Sequence, residues 1–261
     1  MNLKDIQSLY DHRNLTIDKV GIKGIKYPIV LKDKRKGNQH TIAAINMFVK
    51  LPHNFKGTHM SRFVEILNKY RDNISISSFK EILEEMRVKL DSEEAHFDMQ
   101  FTYFLEKEAP ISKLPSLIDY ECRFSGTVSD NKKDFVLTVT VPVVSVCPCS
   151  KEISDYGAHN QRSYVTIAVR YNKMVWIEDL IEIAEKSGSS PIYSLLKRED
   201  EKFVTERSYE NPAFVEDIVR NAAELLLKDE RITWFEVSSE NFESIHNHSA
   251  FASICIDKTN K

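Results

Sequence analysis

Residues Val136-Leu137-Thr138-Val139-Thr140-Val141-Pro142-Val143-Val144 are β-branched and apolar and read as a strand. Beyond them, residues 146–162 run VCPCSKEISDYGAHNQR, a long polar connection with two cysteines, one histidine and several charges. Ser163-Tyr164-Val165-Thr166-Ile167-Ala168-Val169-Arg170 then returns to strand composition. A connection this long and polar inside a compact domain is usually either functional or disordered, and Pro148, Ile153 and Tyr156 promote order. The stretch is therefore read as a site between two strands.

Outward from this centre, the second half of the chain reads as two strands (135–146 and 163–171), two helices (176–186 and 212–228) and two more strands (233–239 and 250–257). The first half repeats that order. Residues 17–32 alternate apolar with polar or glycine, a strand with bends at the glycines, and a turn rich in Lys, Asp, Gly and Asn leads to a second strand at 41–51. Phe63, Val64, Ile66, Leu67 and Tyr70 fall at helical spacing, as do Phe79, Ile82, Leu83, Met86 and Leu90. Strand-like segments at 96–105 and 117–127 flank a proline-containing connection at 109–115. Sequence identity between the halves is negligible, so the repeat is one of pattern. It predicts an α+β protein of two modules, residues 1–130 and 131–261, each an antiparallel sheet with its helix pair on one face.

The 261 residues are enough to bury a sizeable core, and 42% hydrophobic with 29% charged residues is ordinary for a globular protein. A net charge of −3, from 36 basic and 39 acidic side chains, gives no global pull towards nucleic acid or an anionic membrane. Residues 1–20 lack the unbroken apolar core of a secretion signal, and no apolar run approaches the roughly 18 residues of a membrane span. A cytoplasmic protein is expected. Cys122, Cys147, Cys149 and Cys255 are too few for a disulfide framework, so free thiols or a thiolate on a metal fit better.

Cys147 and His159 are soft and borderline donors twelve positions apart, a pair that zinc and similar divalent metals take together with a carboxylate. The bland alternative makes Cys147 a small hydrophobe at a strand end and His159 a surface residue. In an extended Cys-Pro-Cys segment Cys149 would point the same way as Cys147. Residues 195–206, LLKREDEKFVTE, read as a charge-dense loop that contains Glu201. Asn211 reads as the N-cap of the helix that follows, with Pro212 in its first turn. Glu216 falls outside that helix's apolar stripe; it either pairs with Arg220 one turn on or faces a ligand. His246 and His248, in ESIHNHSA, would share a face of an extended backbone, as acid and base or as rim polar residues. Lys56-Gly57-Thr58-His59-Met60-Ser61-Arg62-Phe63 sets basic groups at a helix start, a place suited to phosphate or simply a glycine turn with an ordinary cap.

Four segments together, KGTHMSRF at 56–63, CPCSKEISDYGAHNQR at 147–162, LLKREDEKFVTERSYENPAFVEDIVR at 195–220 and ESIHNHSAFA at 243–252, resemble the type IB GTP cyclohydrolases, bacterial enzymes that make dihydroneopterin triphosphate for folate synthesis. The resemblance implies the tunnelling fold, with two tandem ββααββ modules per chain whose antiparallel sheets assemble into barrels, in a homotetramer with interfacial active sites. It places the metal ligands on Cys147, His159 and Glu201, the guanine anchor on Glu216, and the family's final histidine motif on His246 and His248. Most of that site lies in the second module. The implied cofactor is a divalent metal, manganese or zinc, with iron also accepted, and the substrate is GTP.

Two other functions stay open at this point. A nitrile reductase of queuosine synthesis would share the implied fold and use a cysteine nucleophile with NADPH. A catalytically silent module would bind a purine or pterin without releasing formate.

Overall fold

A computed structural model of the chain describes residues 5–7, 9–34, 37–71, 76–131 and 133–260. Arg35 and Lys36, in the turn expected before residue 41, lie outside the described residues, as do residues 1–4 of the N-terminal stretch. In chain order the strands are β1 (Ile17–Asp33), β2 (Gly37–Leu51), β3 (Glu94–Glu108), β4 (Pro115–Ser129), β5 (Lys133–Val146), β6 (Asn160–Tyr171), β7 (Ser190–Pro191), β8 (Ile232–Asn241) and β9 (Ala250–Asp257). The helices are α1 (Met60–Tyr70), α2 (Ile76–Lys89), α3 (Pro148–Ile153), α4 (Ile177–Ser187), α5 (Arg198–Glu210) and α6 (Val215–Lys228).

The alternation of strand and helix pairs stands, but the expected tunnelling fold of two tandem modules does not. All strands hydrogen-bond in one nine-stranded sheet of order β1-β2-β3-β4-β5-β6-β8-β9, with β7 paired to β5. There are no two module sheets to assemble into barrels; one open sheet runs from β1 to β9. The physical reason lies in the joint between the halves. β4 ends at Ser129 and β5 begins at Lys133, so a hairpin-length connection makes antiparallel neighbours of the last strand of one half and the first of the next. The second half also inserts α3, β7 and α5, which have no counterpart among the described residues of the first.

The chain forms two compact units. The first comprises residues 1–102 and 123–136. In β2, Ala43, Ile45, Met47, Val49 and Leu51 are buried at every second position, as a half-buried strand requires. Phe63, Ile66 and Leu67 of α1 and Phe79, Ile82, Leu83 and Met86 of α2 are buried with them. The Phe79 ring meets Phe97 edge-on at 4.9 Å and Phe135 at 5.8 Å. A side chain at Gly126 would come within 2.5 Å of Phe79 and 2.9 Å of Leu83, so only glycine lets β4 pass this close to α2. The expected bend of β1 sits at Gly24, which has φ +71° inside the register shift between Ile22 and Ile25.

The second unit comprises residues 103–122 and 137–261. Leu137, Val139 and Val141 of β5 alternate with the half-exposed Thr138 and Thr140, Pro142 and Val143 are both buried, and Val165, Ile167, Val169, Phe235 and Val237 continue the core across β6 and β8. Helix α6 buries Ile218, Val219, Ala222 and Leu226, and full burial stabilises each larger aliphatic by about 1.5–3 kcal/mol. Its start is not where the sequence placed it. Phe214 is the N-cap, and its N–H donates to Asp217 Oδ2 at 3.0 Å; Asn211 instead ends α5 by donating its N–H to Arg207 C=O at 3.1 Å. Trp176 and Lys197 use the same device, donating to Asp179 (3.2 Å) and Asp200 (2.9 Å) at the starts of α4 and α5. No helix among the described residues is long and apolar enough to cross a membrane.

Candidate active site

β5 and β6 stay in register from Leu137↔Val169 to Val146↔Asn160. The next step brings Cys147 opposite His159, and the Cys147 N–H donates to the His159 C=O at 3.1 Å. Residues twelve apart in sequence thus become cross-strand neighbours. Helix α3 closes the loop between them: Pro148 opens it, and the Cys147 sulfur caps it by accepting the Ser150 N–H at 3.4 Å. Ser150 Oγ then donates to Cys147 C=O and accepts from His159 N–H, each at 3.2 Å, so one hydroxyl laces both ends together. The extended Cys-Pro-Cys geometry is absent, because residues 148–153 are helical; Cys147 is half-buried and Cys149 is exposed.

His159 Nδ1 lies 3.0 Å from Gln161 Oε1 and 3.8 Å from Glu243 Oε2. Glu243 is in turn 3.9 Å from His246 Nδ1, and the His246 and His248 rings sit 5.2 Å apart. The two histidines come together on the loop before β9 and not on an extended strand, since β9 begins only at Ala250. Glu243, which the sequence reading gave no role, is the carboxylate between His159 and His246. Its spacing, three residues before His246, was the available signal.

Glu201 lies exposed in the first turn of α5, a segment read from sequence as a loop. The turn is anchored by its neighbour Asp200, which is buried and accepts from Ile111 N–H (2.8 Å), Ser112 N–H (2.9 Å) and Ser112 Oγ (2.7 Å) besides Lys197 N–H. Burial alone would raise the Asp200 pKa, but these donors outweigh it and hold the carboxyl well below the usual carboxylate range. Glu216 is exposed in the first turn of α6. Arg220 pairs with Asp217 at 3.8 Å, so the Glu216–Arg220 alternative is not formed. The entry to α6 is tied to the site: Ala213 N–H donates to Val146 C=O at 3.0 Å, and Ser145 Oγ donates to Ala213 C=O at 3.0 Å.

The donors suit a divalent metal in part. Cys147 and His159 are adjacent, and the Gln161 contact on Nδ1 leaves Nε2 of His159 free to coordinate. Yet no three His, Cys, Asp or Glu side chains converge on a metal position among the described residues, so Cys147, His159 and Glu201 do not form a closed ligand set there. In the first unit, two of the basic groups of residues 56–63 have structural partners: Arg62 Nη1 donates to Lys89 C=O at 2.9 Å, and His59 Nε2 is 3.3 Å from Asp5.

Residues 3–252 match the family model described as type I GTP cyclohydrolase folE2. The chain belongs to that family. It is 60% identical over 259 residues to the GTP cyclohydrolase FolE2 of Geotalea uraniireducens (strain Rf4), covering 99% of this chain and 95% of that protein. The FolE2 of Geobacter sulfurreducens (strain ATCC 51573 / DSM 12127 / PCA) is 58% identical over 256 residues, with 98% and 99% covered. Among solved structures the chain is similar to the uricase of Arthrobacter globiformis (TM-score 0.55, 10% identity, 94% of each chain) and that of Bacillus fastidious (TM-score 0.57, 9% identity, 94% of each chain). At that identity the likeness is one of fold alone. With the one sheet that joins the strands, this likeness replaces the tandem-module fold expected from the motifs.

Proposed function

We propose that the chain is a type IB GTP cyclohydrolase that hydrolyses GTP at C8 of the guanine, releases formate and forms 7,8-dihydroneopterin triphosphate, the first step of tetrahydrofolate synthesis. The observation that carries this reading is the joining of Cys147 and His159 at the ends of β5 and β6, with Glu243 and His246 beside them, in a chain of the folE2 family.

Cys147, His159 and Glu201 are the proposed ligands of a divalent metal, manganese or zinc, with iron also accepted. Such an ion, when bound, supplies Lewis acidity and a water acidic enough to serve as nucleophile near neutral pH. Glu216 accepts from the guanine N1–H and 2-amino group together, a paired charge-assisted contact that adenine has no means to offer. His246 and His248 move protons during ring opening, formate loss and ribose rearrangement, a task imidazole suits at neutral pH. Glu243 lies within 4 Å of both rings, 3.8 Å from His159 Nδ1 and 3.9 Å from His246 Nδ1, and orients them. Residues 131–261 carry these groups as the site-bearing half of the chain.

We further propose a homotetramer with interfacial active sites. β9 ends the sheet with no residue fully buried and with Phe251 64% exposed, a strand edge of the kind that natural proteins cover. Free thiols at Cys147 and Cys149 fit a reducing, cytoplasmic setting.

The test is incubation of purified protein with GTP and Mn²⁺ or Zn²⁺. Formate and a fluorescent pterin are expected in equal amounts. NADPH consumption with a nitrile substrate, or GTP binding without formate, would sink the reading in favour of the reductase or the silent module.

A further inference from the structure

The hydrogen bonds around His159 have a direction that can be worked out from one end. Ser145, 0% exposed, has a single hydroxyl proton and three neighbours: Ala213 C=O at 3.0 Å, Gln161 Nε2 at 3.2 Å and Asn241 Nδ2 at 3.2 Å. The carbonyl can only accept, so it takes the Ser145 proton, and both amide groups must then donate to the Ser145 oxygen. Asn241 agrees, because its Oδ1 accepts from Ser239 Oγ at 3.1 Å. With the Gln161 NH₂ turned to Ser145, its Oε1 faces His159 Nδ1 at 3.0 Å. A carbonyl oxygen there admits only a protonated Nδ1. The other titratable group on that nitrogen, Glu243 at 3.8 Å, also favours a donor.

We infer that Gln161 is a positioning residue: through Ser145 and the Ala213 carbonyl it holds His159 in the Nδ1–H tautomer and leaves the Nε2 lone pair for the metal. The opposite amide orientation would strip Ala213 of the Ser145 proton and set Nε2–H against His159, leaving the imidazole with its lone pair on the wrong nitrogen. Gln161 is itself buried and cross-strand from Ser145, so the relay is built into the β5–β6 register. The metal arm of this inference rests on the reading of His159 as a ligand; the tautomer arm does not.

Two measurements test it. In metal-free wild-type protein with ¹⁵N-labelled histidine at about pH 8, where imidazole is neutral, long-range ¹⁵N–¹H correlation should report His159 as Nδ1–H. A predominant Nε2–H form overturns the inference without any variant. Gln161→Met should mix the tautomers and weaken Mn²⁺ binding by about 10–100-fold, the usual loss when an outer partner of a ligand histidine is removed. Gln161→Glu keeps the acceptor and should retain the Nδ1–H signal. Unchanged tautomer and unchanged Mn²⁺ affinity in Gln161→Met would overturn the relay. His159→Ala in the same titration separates the two readings: if it binds Mn²⁺ as the wild type does, the ligand assignment fails while the tautomer result stands.

Discussion

The first compact unit sets two helices with its strands and the second four, and they differ in what is buried. In the first, the interior is mostly apolar, with Phe79 packed on Phe97, Phe124 and Phe135 and Gly126 making room for it. In the second, the ends of β5, β6 and β8 bury Ser145, Gln161, Ser163, Ser239 and Asn241. A polar cluster inside a sheet is costly unless its members satisfy one another, and apolar residues of similar volume would stabilise the fold at least as well. The second unit gives up that simplicity at the place where His159 must be held in one tautomer. Departures from the local rules of packing gather where the chemistry is.

The sharpest way to break this contrast is Phe79→Ala. Truncating a buried phenylalanine removes apolar burial and leaves a cavity, at a cost of about 3–5 kcal/mol. That is a large part of a typical domain stability of about 5–15 kcal/mol. A chemical denaturation midpoint well below wild type is expected, and a loss under about 1 kcal/mol would show that the first unit's core is not organised around Phe79.

Ser145→Ala tests the polar interior in the same way. It leaves Gln161, Asn241 and the Ala213 carbonyl without their shared partner, for about 1–3 kcal/mol in denaturation. GTP turnover should fall with it, because the grip on His159 loosens. A variant with wild-type stability and turnover would mean that the cluster is ornamental.

The contrast explains what the sequence could show. Apolar periodicity carries the apolar parts, and the strands other than β7, with α1, α2, α4 and the body of α6, stand close to where it puts them. It fails for α5, whose residues are mostly charged and which buries only Asp200 and Ser208. The signals there were electrostatic: Glu199, Asp200 and Glu201 in the first turn, Arg207 in the last, and Lys202 paired with Glu206 one turn on at 2.5 Å. The joining of β4 to β5 was also written locally, in the short polar Asp130-Asn131 stretch, but a search for repeats divides the chain at that point. Of the site, the chemical types were legible, while Gln161 and Glu243 gain meaning only from neighbours that the register of β5, β6 and β8 supplies.

A smaller effect, confined to turnover, is expected for Glu216→Gln. The change turns one acceptor into a donor facing a guanine donor, and about 1–3 kcal/mol of lost contact corresponds to about 5- to 150-fold in GTP turnover. Stability should not move, because Glu216 is exposed and Arg220 is paired with Asp217 instead. Wild-type turnover would remove Glu216 from the site. Asp200 gives a pH signature of its own. Its folded pKa lies below the unfolded value of about 3.9, so its contribution is present above that pH and is lost as pH falls below it. Asp200→Asn should flatten the acid limb of the stability curve below about pH 4; an unchanged limb would show that other carboxylates set it.

The smallest effect is the most diagnostic of the polar cluster. Ser163 lies between Val143 on β5 and Asn241 on β8, fully buried, and its hydroxyl has no hydrogen-bond partner among the described residues. A buried hydroxyl without a partner stays desolvated for nothing, and Ser163→Ala removes that penalty along with one small atom. The cluster's other members keep their bonds, since none of them uses Ser163. Stability should therefore stay level or rise by about 1 kcal/mol, in contrast to the loss at Ser145, which sits two pairs further along the same strands. A loss of more than about 1 kcal/mol in Ser163→Ala would mean that the hydroxyl is engaged by an ordered water and belongs to the relay that holds Gln161 and His159.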